Sequence, residues 1–486
     1  MRAEVTKIQE QIFAKTMWFP LIIVALGAVI AIRLGMVGAL IFFVGYIWLA
    51  TLSLPLAAIL YILAAPFPIG MILHHHKFYV ADFMAIVLAI KLFLANVHKG
   101  FGGLVETFLP KAFRLPLLFL LLLSVLSLGE SLSRFGTIIK ILEYIEFFVV
   151  MVAVFRNAGT DERIWNGYFT ALFLAVSAVT VYGLYQFLFQ LGPVYNIVDG
   201  HHVRATGFFG QPNVFGAFND ETFPLALALL TLGPRYLKKG WLVVATVLTA
   251  LGAVLSYSRG SWVADAAAVF FMLVLVAVTK PKVVKMFAAY GIGIPILMFL
   301  AVFFLGKTDL SHTALFIGAH KNTIERLKTT VTALLNPQGH FDTDQRLLIW
   351  KSALQAIRQH PLLGVGLGNF HLFIQQHPPK GLAAVPPMAH DLYLEWGADL
   401  GVGGILAALW FEWSWIRNAV SIIRQKLPVL NEYGYAALMG AFGTAVAFIV
   451  HNWVDFLIDQ GVIVPLLIAL AFIAAQYDQY RNGSVS

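Results

Sequence analysis

The chain has 486 residues, of which 59% are hydrophobic and 12% charged, with a net charge of +8 and no cysteine. Soluble domains carry about 25% charged residues, and the mean hydropathy here is +0.80, so a soluble globular protein is excluded and an all-α integral membrane protein is expected. Disulfides, thiol nucleophiles and thiolate metal sites are excluded with the cysteine. The basic residues sit in short loops between apolar runs, which points to membrane topology rather than nucleic acid.

A membrane-spanning helix needs about 20 apolar residues. Runs of that kind are predicted near 17–32, 37–53, 56–72, 79–97, 115–129, 137–155, 164–191, 216–233, 241–257, 261–279, 286–305, 391–415, 433–453 and 462–478. Met1–Thr16 is polar and amphipathic, and no small-residue cleavage site follows the first run, so that run reads as an uncleaved span. Pro55 could kink one long helix instead of separating two, so the expectation is a polytopic protein of about 12–14 transmembrane helices. Its divisions are an N-terminal scaffold 1–191, helices with arginine-bearing external loops 192–305, an extracytoplasmic loop 306–390 with amphipathic helices, and C-terminal helices 391–486.

Orientation follows from the short loops. Lys99, Lys111 and Arg114 form one basic group, and Arg156 and Arg163 a second. Arg235, Lys238 and Lys239 form a third, Lys280, Lys282 and Lys285 a fourth, and Arg417, Arg424 and Lys426 a fifth. Counting spans puts all of them on one side, the cytoplasmic side by the positive-inside rule, with both termini. Residues 192–215, Ser258-Arg259-Gly260, 306–390 and 454–460 then face outward. The basic residues of 306–390 do not contradict this, because a long insert escapes the rule.

Within the spans, Asp82, Lys91, Lys140, Glu143 and Glu146 are costly unless paired. Lys140 and Glu143 share a helix face, as do Glu143 and Glu146, which suits a structural ion pair or a polar pathway. His74-His75-His76 and His201-His202 lack zinc-protease spacing and read as interfacial residues rather than metal ligands. In the irregular loop His201–Asn213, Arg204 can grip phosphate as a planar fork or snorkel to lipid headgroups. Arg259 sits in a very short external junction, where positive charge is disfavoured and an arginine is usually paired or functional.

Asp344–Gln359 carries Leu347, Trp350, Leu354 and Ile357 on one stripe, with Arg346, Lys351 and Arg358 off it, the pattern of a surface amphipathic helix. Asp342-Thr343-Asp344 has the D-x-D spacing of a divalent-cation chelate, but at a helix start it reads as an N-cap. The glycines of Pro361–Phe370 follow no strand and lack nucleotide-loop spacing. His390, at the mouth of the next helix, is either a hydrogen-bonded structural histidine or a general base.

In order and sidedness these pieces resemble the O-antigen ligase superfamily of ligases, polymerases and protein O-oligosaccharyltransferases. The matching residues are Arg204-Ala-Thr-Gly-Phe-Phe with Pro212-Asn213, then Ser256-Tyr-Ser-Arg259-Gly260. They continue with Arg346 through Trp350 to Pro361-Leu-Leu-Gly364-Val-Gly366, then His390 with Tyr393-Leu394, and Gly401 with Gly404. The likeness spans roughly 200–415, and Asp391 departs from the asparagine often found there.

The resemblance implies a GT-C-like membrane glycosyltransferase of the bacterial inner membrane. Its donor is a glycan on polyprenyl diphosphate, and its acceptor a glycolipid, a growing glycan or a protein. Transfer is inverting, needs no metal or other cofactor, and occurs at the extracytoplasmic face. By the same likeness Arg204, Arg259 and, less firmly, Arg346 hold the diphosphate and His390 deprotonates the acceptor. The alternatives are a polymerase with the same donor and a lipid-linked-sugar transporter. The latter would need midplane polar sites and inverted repeats, and no clear repeat is found.

Overall fold

The computed structural model describes residues 18–31, 36–73, 76–192, 196–198, 202–305, 341–425, 430–459 and 461–482. The expectations for Met1–Thr16, His74, His75, His201 and 306–340 fall outside these residues. The protein is an all-α polytopic membrane protein. Among the described residues, Val80–Phe108, Glu162–Leu188, Arg259–Thr279, Pro281–Phe304 and Glu432–His451 are long and apolar enough to cross a membrane. Shorter apolar helices include Trp18–Ala31, Val37–Leu52, Leu54–Ala64, Arg114–Gly129 and Lys239–Leu255.

Several predicted spans are remodelled for local reasons. Pro55 does not kink one helix. The Ser53 hydroxyl accepts from the Leu56 N–H, and proline stands in the first turn of the separate helix Leu54–Ala64, where its missing N–H costs nothing. The run 137–155 contains a π-helical stretch, Ile145–Met151, between Arg134–Tyr144 and Val152–Arg156. The run 216–233 is two helices, Pro212–Asp220 and Phe223–Leu232, the second restarting at Pro224. A small antiparallel hairpin, Gly70–Leu73 with His76–Tyr79, joins the third and fourth predicted spans, and a shorter one pairs Ile197–Val198 with His202–Val203.

The helix Glu432–His451 is the buried axis of the C-terminal half and packs against Phe223–Leu232 and Arg259–Thr279. Glycine allows the close approach. A Cβ at Gly440 would stand 2.7 Å from Leu225 Cα, and one at Gly443 would collide with Met272 Sδ. This axis delivers the turn 452–459 to the end of the molecule where the candidate residues gather.

At the opposite end the basic loops are tied together. Arg156 pairs with Asp478 at 2.6 Å and donates to the Thr107 carbonyl at 2.6 Å. Tyr236 donates to Glu162 at 2.7 Å, which also accepts from Asn431. Lys280 lies 4.1 Å over the Tyr435 ring, and Asn418 donates to the Ala112 carbonyl. At the site end instead, Lys140 and Glu143 pair at 2.8 Å, with Lys140 beside Gly368.

The glycines of 361–370 bend this segment around one carboxylate. Gly364, Gly366 and Gly368 all have positive φ. The N–H groups of Gly368, Asn369 and Phe370 donate to Asp399 at 2.6, 3.1 and 2.9 Å. Asn369 in turn reaches Ser131 and Thr137 at 2.8 and 2.9 Å. The segment thereby locks the helix Phe341–Gln359 onto Leu392–Leu400 and the N-terminal scaffold.

Candidate active site

His390 has φ +52°, a left-handed backbone that costs a non-glycine residue about 1–3 kcal/mol. Its neighbours hold it there. Asp391 caps the helix Leu392–Leu400 by accepting from Leu394 N–H at 2.8 Å, Glu395 accepts from Ala389 N–H, and Leu392 N–H donates to the Asn452 carbonyl at 2.9 Å. Asp391 and Glu395 are thus engaged by backbone. The ring of His390 meets a different carboxylate, with Nδ1 2.9 Å from Asp455 Oδ1.

Asp455 is the centre of the site and is only 2% exposed. Its Oδ1 also accepts from Phe456 N–H at 2.9 Å, and its Oδ2 accepts from Asn213 Nδ2 at 2.6 Å. Burial favours the neutral acid, but the hydrogen bond and charge of His390, with the charges of Arg346 and His451, outweigh it and hold this carboxyl well below the usual carboxylate range. An ionised Asp455 only accepts. It therefore places the imidazole proton on Nδ1 and leaves Nε2 as the basic nitrogen.

Arg204 joins the same network. Its Nη2 donates to Asn213 Oδ1 at 2.6 Å and its Nε to the Ser256 carbonyl at 2.8 Å. The sequence builds this locally. Gln190 accepts from Val203 N–H at 2.9 Å, Gln186 accepts from Thr206 N–H at 3.0 Å, and Ala205 N–H donates to the Leu255 carbonyl at 3.1 Å. Gln211 caps the helix that carries Asn213, accepting from Val214 N–H at 2.8 Å.

Arg259 opens the helix Arg259–Thr279, capped by Ser258. The next residue, Gly260, lies so close to the 451–455 turn that a Cβ on it would be 2.5 Å from His451 and 3.1 Å from Val454. Arg346, on the helix Phe341–Gln359, donates from Nη1 to the Val454 carbonyl at 2.7 Å. The structure thus brings Arg204, Arg346, His390 and the start of the Arg259 helix around residues 451–455. His390 and Asp455 line a cavity of about 170 Å³ with Tyr79, Phe209, Gln211, Phe456 and Asp459.

The helix Phe341–Gln359 already contains Asp342 and Asp344, one turn earlier than expected, so neither stands at the predicted cap position. Asp344 lies in the first turn, where a carboxylate favours the positive helix end. Asp455 and the linking role of Asn213 escape the sequence reading. The turn 454–460 is legible as external, but nothing in its composition pairs Asp455 with a histidine 65 positions away.

Residues 244–409 match the family model described as O-antigen ligase. Over that stretch, about a third of its length, the chain is similar to O-antigen ligases. No curated protein matches it. The matched stretch contains Arg259, Arg346 and His390, while Arg204 comes from the loop before it, Asn213 from the helix Pro212–Asp220 and Asp455 from the turn after Glu432–His451.

Proposed function

We propose that this protein transfers a glycan from a polyprenyl diphosphate to an acceptor hydroxyl at the outer face of the bacterial inner membrane, with inversion and without a metal, in the manner of an O-antigen ligase. The observation that carries this is the convergence of His390, Arg204 and Arg346 on the 451–455 turn beside a cavity, with the start of the Arg259 helix packed against the same turn. Arg204 and Arg259, supported by Arg346, bind the diphosphate. A guanidinium stays charged at any working pH and matches phosphate oxygens as a fork. His390 Nε2 takes the proton of the acceptor hydroxyl as its oxygen attacks the anomeric carbon. The bond from that carbon to the diphosphate oxygen breaks on the opposite face, and polyprenyl diphosphate leaves. The fixed arginines stabilise the charge that develops on it. With cationic side chains in that role, a divalent cation is not required.

The test is transfer from a defined polyprenyl-diphosphate glycan in nanodiscs, with a separate donor-binding assay. Arg204→Ala and Arg259→Ala are expected to weaken donor binding and transfer together, and lysine to rescue only in part. His390→Ala is expected to leave donor binding nearly intact and to lower turnover by about 10²–10⁴-fold. Wild-type turnover of His390→Ala across pH 6 to 9 would remove the base assignment. Supplying lipid A core in one arm and a second lipid-linked repeat in the other separates ligase from polymerase.

A further inference from the structure

Behind the Ser256–Gly260 junction lies a second histidine–carboxylate pair that the proposed chemistry does not use. His451 Nδ1 is 2.8 Å from Asp220 Oδ2, and the two side chains are 1% and 0% exposed. The other edge of the ring faces the junction, with Nε2 3.4 Å from Ser258 Oγ. A methyl group on Gly260 would stand 2.5 Å from His451 Cδ2 and 2.6 Å from Nε2. His451 therefore touches the residue before Arg259 and the residue after it.

The two partners are themselves anchored. Ser258 caps the Arg259 helix by accepting from Ser261 N–H, and its own N–H donates to Ser256 Oγ at 3.0 Å. Asp220 ends the helix Pro212–Asp220, whose first turn carries Asn213 of the Arg204 network. Burying a polar pair costs more than burying an apolar one of the same shape. What the pair adds over apolar packing is direction. Asp220 pairs with Nδ1, which turns the Nε2 edge toward the Ser258 hydroxyl and fixes the ring against Gly260.

We propose that His451 is a positioning residue for the donor site. Held by Asp220, it clamps the Ser258–Gly260 turn and so aims the Arg259 guanidinium at the diphosphate. This inference rests on the reading of Arg259 as a diphosphate ligand.

A double-mutant cycle on binding of undecaprenyl-diphosphate glycan in nanodiscs tests it. H451N keeps an amide donor near Nδ1 for Asp220 but withdraws the ring edge from Ser258 and Gly260. It is expected to weaken donor binding about tenfold in the wild-type background and to add nothing in the R259A background, with the melting midpoint near wild type. S258A deletes the link from the other side, together with the cap that Ser258 gives to Ser261 N–H, while leaving the buried pair in place. It is expected to give the same pattern, and it reports the outcome if H451N does not accumulate. Wild-type affinity in these variants overturns the proposal, and so does an equal loss with and without Arg259, which is the signature of general packing. R259A alone binding donor like wild type instead overturns the functional reading of Arg259, an outcome separable from the other two.

Discussion

Among the described residues, Gln190, Tyr257 and His390 are the non-glycine positions with positive φ, and each belongs to a segment that carries a candidate group. Gln190 holds the strand before Arg204, Tyr257 lies two residues before Arg259, and His390 is itself the candidate base. Strain of about 1–3 kcal/mol per residue persists only where the surroundings impose it. These backbones are therefore held by their own surroundings, Gln190 by Phe187 and Val203, Tyr257 by Phe187 and Trp262, and His390 by Asp455. Asp455 has the largest part in orienting His390, and Asp455→Asn tests this. The amide still offers an oxygen to one neighbour, but its NH₂ faces either the Asn213 amide or the His390 N–H, both of which donate now. Turnover is expected to fall by about 10²-fold or more, with donor binding much less affected. The pH dependence of stability has a definite sign. The folded Asp455 carboxyl is held below its unfolded value, so its contribution is fully present above the unfolded value of about 3.9 and is lost as pH falls through the folded one. The gap in melting midpoint between wild type and Asp455→Asn should be constant from pH 6 to 9 and close below about pH 4. A gap that widened on acidification would mean that Asp455 is protonated in the fold.

At the scale of elements, the amphipathic helix Phe341–Gln359 brings Arg346 to the site while leaving Asp344 exposed in its first turn. Asp344→Ala should therefore cost about 0.3–1 kcal/mol of stability through the helix dipole, and transfer should survive EDTA. Abolished transfer restored by Mg²⁺ or Mn²⁺ would give the D-x-D pair a chelating role instead. Most elements are legible in the sequence because apolar length and turn residues act locally. The long spans, the break at Gly401 and the short junction at Arg259 all follow from neighbours in the chain. What is not legible depends on distant partners. The glycines at 364, 366 and 368 exclude a nucleotide loop by spacing, but their reason is the carboxylate of Asp399, about 30 positions on. The hairpin Gly70–Tyr79 and the division of 216–233 at Pro224 likewise interrupt apolar runs that hydropathy joins or leaves unmarked. Arg204, Arg259, Arg346 and His390 stand out because charge at a membrane edge is conspicuous. Asp455, Asn213 and His451 look like ordinary helix-end residues until the fold brings them together.

The whole molecule has two chemically distinct ends, separated by helices such as Glu432–His451 and Glu162–Leu188. A helix of 20 residues is about 30 Å long, the thickness of the hydrocarbon core. Glu162, Lys280, Asn431 and Tyr435 meet at one end with Arg156 and Asp478, whereas Gln186, Arg204, His390, His451 and Asp455 meet at the other. The basic loops grouped by counting spans are therefore also grouped in space, by contacts that owe nothing to hydropathy. The positive-inside rule predicts the basic end in the cytoplasm, and the proposed arginine and histidine site then faces outward. This is the compartment in which the proposed donor must arrive, because its diphosphate cannot be gripped through the apolar layer. Reporter fusions at 234–240 and 417–425 are expected to read cytoplasmic, and fusions at 377–387, in the loop that leads into His390, to read external. An inside signal at 377–387 with inside signals at both basic loops would place His390 and the basic residues in one compartment. The fold forbids that for any membrane crossed by Glu432–His451, so the helix itself would then have to lie within the cytoplasmic half, and the proposed reaction would lose its access to an external donor.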